Sequence, residues 1–198
     1  MTLTLIIAPD IFGLTPAVEE LAGQLNAHRV IPLDPYGDQG GYFTNEATAY
    51  AHFTQHVGIG GYARLIYNTL MDHSPDKDAP ETRVLLGFSA GAAALWTLAD
   101  NHELGEISHC MGYYGSQIRN HPSIRPLWPV ELIFPEKEDH FDVGFLMAQL
   151  TGRKNLELKK EKGKHGFMNP HSPNYDAELA RVHIRYINRR LETIGQRN

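Results

Sequence analysis

Cys110 is the only cysteine in this 198-residue chain, so no disulfide can close within it. That excludes a cystine-stapled secreted scaffold and points to a reducing compartment. The fold must then rest on a hydrophobic core, for which the chain is long enough. Basic charge is also in short supply: 18 Lys and Arg against 23 Asp and Glu leave a net charge of −5. Nucleic acid and acidic membrane surfaces both want a concentrated basic face, so neither is an expected partner. The nearest approach to a basic patch, Lys159-Lys160-Glu161-Lys162-Gly163-Lys164, is interrupted by a glutamate and reads as a solvated edge strand and loop. Long apolar runs are missing too. The first, Leu3 to Ala8, lacks a positive flank and stops at Pro9-Asp10, too short for a membrane span or a signal peptide, so the expected location is the cytoplasm. The 11 histidines are scattered without His-Glu-x-x-His or Cys/His cluster spacing, and neither a metal nor a cofactor is expected.

What the chain does have is alternation. Strand-length apolar runs occur at Leu3 to Ala8, Arg29 to Leu33, Arg83 to Phe88, Ile107 to Tyr114, Val130 to Phe134 and Asn155 to Lys160. They are mostly continuous, as in strands buried on both faces of a parallel sheet. Helical candidates lie between them. Thr15 can cap a helix with Pro16 at its first position; Ala90 to Ala99 is rich in helix formers; Phe141 to Leu150 and Asp176 to Ile194 carry apolar residues at helical spacing. Tyr36 to Ser74 reads as two helices joined near Gly58-Ile59-Gly60-Gly61, and Ser74 to Pro80 as a polar surface loop. The pattern predicts one α/β domain over residues 1–198, a mostly parallel open sheet with helices on both faces.

One pentapeptide carries chemistry. Gly87-Phe88-Ser89-Ala90-Gly91 is a G-x-S-x-G that follows Val84-Leu85-Leu86 and opens the helix-forming run Ala90 to Trp96. That strand-turn-helix context is what a nucleophile elbow of the α/β-hydrolase fold requires. A side chain at Gly87 or Gly91 would crowd the strained serine turn. At a helix N-terminus, Ser89 sits where N–H groups favour a negative oxygen. A serine nucleophile needs a base, and the base an acid, in the order serine, acid, histidine on later loops. His165, in Gly163-Lys164-His165-Gly166-Phe167, fits the base. Asp139 fits the acid, although Glu136, Glu138 and Asp142 share its loop and Asp142 equally suits a helix cap.

Five further segments, in order, carry a family likeness: Pro9-Asp10-Ile11-Phe12-Gly13, Asp34-Pro35-Tyr36, Gly112-Tyr113-Tyr114-Gly115, Asp139-His140-Phe141 and His165-Gly166-Phe167. With the elbow they resemble the dienelactone hydrolase family over nearly the whole chain. The resemblance implies the backbone N–H groups of Ile11 and Ala90 as oxyanion donors and supports Asp139 and His165 as acid and base. Asp10, Phe12, Phe88 and Tyr114 become substrate-pocket candidates. The chain departs from the family in three ways. The family's elbow cysteine is here Ser89, and its first-loop glutamate is Asp10. A substrate-reading arginine after its histidine is here Asn169, with Arg64 a candidate for another. With no arginine or lysine between Gly166 and Ser172, neutral short-chain esters are the expected preference, with Arg64 and a protonated His171 the two residues that could reverse it.

The expected function is therefore cleavage of a small-molecule ester or lactone through Ser89, His165 and Asp139 by way of an acyl-enzyme. A thioesterase or broad carboxylesterase would use the same residues. A non-catalytic binding protein on this fold would need none of the three together. Monomer and homodimer are not separated by the sequence.

Overall fold

The computed structural model describes residues 2–37, 41–73 and 81–196. The surface loop expected at residues 74–80 lies outside them. The apolar runs become strands β1 (Thr2–Ala8), β2 (Arg29–Pro32), β3 (Glu81–Phe88), β4 (His109–Tyr113), β5 (Val130–Pro135) and β6 (Leu156–Glu161). They pair in the order β2-β1-β3-β4-β5-β6, and every pairing is parallel. Helices α1 (Pro16–Gly23), α2 (Glu46–His56), α3 (Gly58–Asp72), α4 (Ala90–Thr97), α5 (Val143–Leu150) and α6 (Ala177–Gly195) complete the framework. Local chemistry starts them: Thr15 accepts from the Val18 N–H ahead of Pro16, and Asp142 and Asp176 cap α5 and α6. The α2–α3 break falls at Gly58, whose φ of 62° is open to glycine at little cost.

Alternation of side chains along the strands divides the core in two. Ile6, Leu85, Leu132 and Phe134 face one layer, with Tyr62 and Ile66 of α3, Trp96 of α4 and Leu146 of α5. Leu5, Ile7, Val84, Leu86 and Met111 face the other, against Ile187 and Leu191 of α6 and Leu21 of α1. This is the α/β-hydrolase fold, with helices on both faces of the sheet. Cys110 is a buried filler in the first layer, and burial pushes its thiol up to about 12, far from a reactive thiolate. The basic run falls on β6, an edge strand, as its composition suggests. Among the described residues no helix is long and apolar enough to cross a membrane.

Lys159 departs from the solvated pattern because it turns toward Glu131. This β5 glutamate is fully buried, with Lys159 Nζ at 2.8 Å, His109 Nε2 at 3.5 Å and Arg190 Nε at 3.2 Å, the last two unaligned for a hydrogen bond. Burial alone would raise its pKa, but the neighbouring His109, Lys159 and Tyr186 outweigh burial and lower it from 4.5 to about 2. A depressed carboxylate contributes stability above its unfolded pKa and loses it as the pH falls through the folded one. The protein is therefore expected to lose on the order of 3 kcal/mol of folding stability from this group between pH 4.5 and about 2. Denaturant melts of wild type and Glu131→Gln across that range check it: the variant's acid slope should be shallower, and equal slopes would contradict the assignment.

The strand order fixes where a ligand can bind. From β1 the chain steps outward to β2, then returns past β1 to β3, so the loops after β1 and β3 diverge at their C-terminal ends. Such a switch point leaves a crevice. The loop after β1 begins at Pro9 and the turn after β3 is Ser89.

Candidate active site

Ser89 joins β3 to α4 with φ 48° and ψ −109°, a backbone region that side chains rarely occupy. Its flanking glycines permit this. A Cβ on Gly87 would come within 2.7 Å of the Ala92 backbone, and one on Gly91 would collide with the Ala8 carbonyl. The strained turn raises the Ser89 hydroxyl above the sheet, while its N–H donates to the Tyr113 carbonyl at 2.9 Å and fixes it against β4.

His165 comes from the loop between β6 and α6. Gly166, at φ 79°, turns the chain immediately after it, and the Asn174 side chain donates to the His165 carbonyl at 3.0 Å. Ser89 Oγ lies 2.9 Å from His165 Nε2. On the other side of the ring, Nδ1 lies 2.8 Å from Glu138 Oε1. The carboxylate on the histidine is thus Glu138, not Asp139. Glu138 stands one residue nearer the end of β5, its side chain turned in and 7% exposed. Asp139 is exposed at the rim of the same cavity and makes no contact with His165 among the hydrogen bonds and ion pairs of the site. Asp142, the alternative, is occupied as the cap of α5, accepting from the Phe145 N–H at 2.9 Å.

The turn after β1 faces Ser89 and is held from many sides. Asp10 Oδ1 accepts from the Phe12 N–H at 3.0 Å, and the Gly13 N–H donates to the Asp10 carbonyl at 3.2 Å. The Tyr36 hydroxyl donates to the Ile11 carbonyl and the Tyr62 hydroxyl to the Pro9 carbonyl. Asn169 donates to Asp10 Oδ2 at 2.7 Å, tying this turn to the His165 loop. Burial lifts the Asp10 carboxyl above its ordinary value, against the opposing hydrogen bonds from Asn169 and Phe12. Asp10 is a turn-forming residue here. Ile11 and Ala90 line the cavity beside Ser89, and the Ala90 N–H, at the first position of α4, has no intrahelical acceptor.

That cavity holds about 550 Å³ and also opens onto Ser116, Glu138 and His165. One wall is apolar, from Tyr50, Phe53 and Ile59 of α2 and α3; the facing wall is polar, from Gln117, Arg119, Asp139 and His140. The aromatic candidates do not line it, although the Tyr114 ring packs 5.1 Å from that of His165. Phe88 and Tyr114 are buried and, with Asp10, line a separate space of about 110 Å³, while buried Phe12 stacks on His171. Alternation explains this placement: Phe88, beside Ser89, projects to the opposite face of β3 and joins Tyr113 and Tyr114 in the second core layer. Arg64 is exposed on α3 and absent from the cavity wall; Arg119 is the arginine that reaches it. The expected preference for neutral esters rested on the loop after His165, which has no arginine or lysine; Arg119 brings a guanidinium to the cavity from a different loop. Nothing in the sequence pattern marks Arg119 or the α2 wall, because both arrive by the path of the chain rather than by a motif.

No family model matches the chain. It is 29% identical over 179 residues to the uncharacterized protein YczH of Bacillus subtilis, covering 88% of this chain and 85% of that one. A Klebsiella pneumoniae structure provisionally named a dienelactone hydrolase superposes with a TM-score of 0.72 at 16% identity, covering 98% of this chain and 86% of that one. A dienelactone hydrolase from Anabaena variabilis gives 0.59 at 18% identity, over 93% and 85% of the two chains. A dienelactone hydrolase-like promiscuous phosphotriesterase from metagenomic libraries gives 0.63 at 14% identity, over 96% and 86%. At these identities the likeness to solved structures is one of fold.

Proposed function

We propose that the protein is a serine hydrolase cleaving an ester or lactone of a small molecule, with Ser89 as nucleophile, His165 as general base and Glu138 as the orienting acid. One observation carries this reading: the unbroken run from Ser89 Oγ to His165 Nε2 at 2.9 Å and from His165 Nδ1 to Glu138 Oε1 at 2.8 Å, opening into the 550 Å³ cavity. Structural neighbours named dienelactone hydrolases agree with it.

The chemistry follows from the geometry. Ser89 Oγ attacks the substrate carbonyl carbon as its proton passes to His165 Nε2. The carbonyl π electrons become an oxyanion, which accepts hydrogen bonds from the Ile11 and Ala90 N–H groups in this reading, each worth roughly 3 kcal/mol of barrier. Collapse of the tetrahedral species breaks the bond to the leaving oxygen, which takes the proton from Nε2. A water then repeats the sequence on the acyl-enzyme and frees Ser89. Glu138 keeps Nδ1 protonated, so that Nε2 is the basic nitrogen, and balances the imidazolium that forms.

Treatment with a fluorophosphonate, which reacts with activated serines, should leave its phosphonyl group on Ser89 when the digested protein is read by mass spectrometry. A folded protein labelled at another serine, or unlabelled, would reject the reading. A panel of esters, thioesters and lactones with the Ser89→Ala variant as blank then narrows the substrate, neutral and carboxylate-bearing members both included because Arg119 faces the cavity.

A further inference from the structure

Ser116 makes a contact that the three proposed residues do not by themselves require. Its Oγ lies 2.9 Å from Glu138 Oε1 and 3.0 Å from His165 Nδ1, closing a triangle whose third side is the 2.8 Å Nδ1–Oε1 contact. A serine hydroxyl has one hydrogen to give. The imidazole Nδ1–H goes to the nearer, charged acceptor, Glu138 Oε1. The Ser116 hydrogen then also goes to Oε1, which leaves an Oγ lone pair facing the Nδ1–H.

Glutamate makes such an anchor useful. It has one more rotatable bond than aspartate, and its carboxylate touches the ring through one oxygen only. Left alone, that oxygen swings, and the imidazole tilts with it. Ser116 is held independently of Glu138. It opens the 3-10 turn Ser116–Asn120 directly after β4, with its N–H donating to the Tyr114 carbonyl at 2.9 Å. Its carbonyl accepts from Arg119 at 2.7 Å, and the Arg119 guanidinium rests 5.2 Å from the Phe141 ring centroid. Ahead of it, Gly115 lets the backbone close on Ile118 and Ala92, where a Cβ would come within 2.7 Å and 3.2 Å.

We propose that Ser116 is a positioning residue for catalysis, its hydroxyl pinning Glu138 Oε1 against His165 Nδ1 so that the base keeps its aim at Ser89. The inference rests on the serine-hydrolase reading above.

Ser116→Ala and Ser116→Thr test it, each compared with wild type for kcat and KM on a p-nitrophenyl ester and for the rate of fluorophosphonate labelling of Ser89. Ser116→Ala is expected to lower kcat and the labelling rate by about tenfold to a hundredfold, the scale of one hydrogen bond to a charged group, with KM unchanged. Ser116→Thr keeps the hydroxyl and should stay near wild type. The His165 Nδ1 proton resonance should be sharp in wild type and Ser116→Thr and broaden by exchange with water in Ser116→Ala. Wild-type rates in Ser116→Ala, a loss confined to KM, or a threonine variant no better than alanine would each overturn the proposal. A wild type labelled at Ser89 alongside an equally fast Ser116→Ala removes Ser116 alone, whereas a wild type without label at Ser89 removes the underlying reading as well.

Discussion

Ser89→Ala is expected to lower kcat by about a thousandfold or more and to leave the fold intact. The size follows from the mechanism: without Oγ there is no covalent intermediate, and His165 can at best activate a water that the site was not built to hold. The fold survives because alanine removes only the hydroxyl. The φ of 48° that strains Ser89 strains alanine equally, and the Ser89 N–H bond to Tyr113 is backbone. Turnover of an ester substrate and a thermal melt, measured together, decide the matter. Residual turnover above about a tenth of wild type would show that the hydroxyl is not the nucleophile, since no part of the remaining machinery supplies that much.

The second large effect separates two adjacent carboxylates. Glu138→Gln keeps the shape of the side chain but removes its charge and offers Nδ1 an ambiguous partner. The imidazolium formed during attack is then unbalanced, and the wrong ring nitrogen can carry the proton. A loss of about 10³-fold or more in kcat is expected. Asp139→Asn changes an exposed residue at the cavity rim and should alter kcat by no more than about twofold. Measured side by side, a severe loss in the asparagine variant with a mild one in the glutamine variant would return the acid to Asp139.

The elements were legible because their signals are local. Continuous apolar runs such as Val84-Leu85-Leu86 have no polar face to expose, so they must be buried on both sides, and a parallel sheet with helices above and below is the arrangement that does this. Thr15-Pro16, Asp142 and Asp176 announce helix starts because a cap needs only the N–H groups two or three residues on. Ser89 could be read for the same reason. Its strain, its glycines and its helix all lie within a few residues of it, and the collision a Cβ on Gly91 would suffer is the physical content of the motif.

Which carboxylate lies against His165 was decided by tertiary structure alone. Between Pro135 and Asp142 the sequence offers Glu136, Glu138, Asp139 and Asp142, four carboxylates of nearly equal local standing. Which of them meets Nδ1 depends on how the loop after β5 is wound and where the His165 loop, arriving from β6, places its ring. A carboxylate one residue along points a different way, and the longer glutamate reaches where its neighbour faces solvent. The same holds for the cavity. The α2 wall, Arg119 and Ser116 are brought to Ser89 from separate stretches of chain by the packing of α2 and α3 and the turn after β4, and no spacing in the sequence records those distances. The sequence by itself determined the parallel sheet, its covering helices, the elbow serine and the histidine loop, because each depends on near neighbours along the chain. Which carboxylate meets His165, the lining of the cavity and the place of Ser116 belong to tertiary structure, because the contacts of His165 Nδ1 with Glu138 and Ser116, 27 and 49 residues away in the chain, exist only once the loops have met.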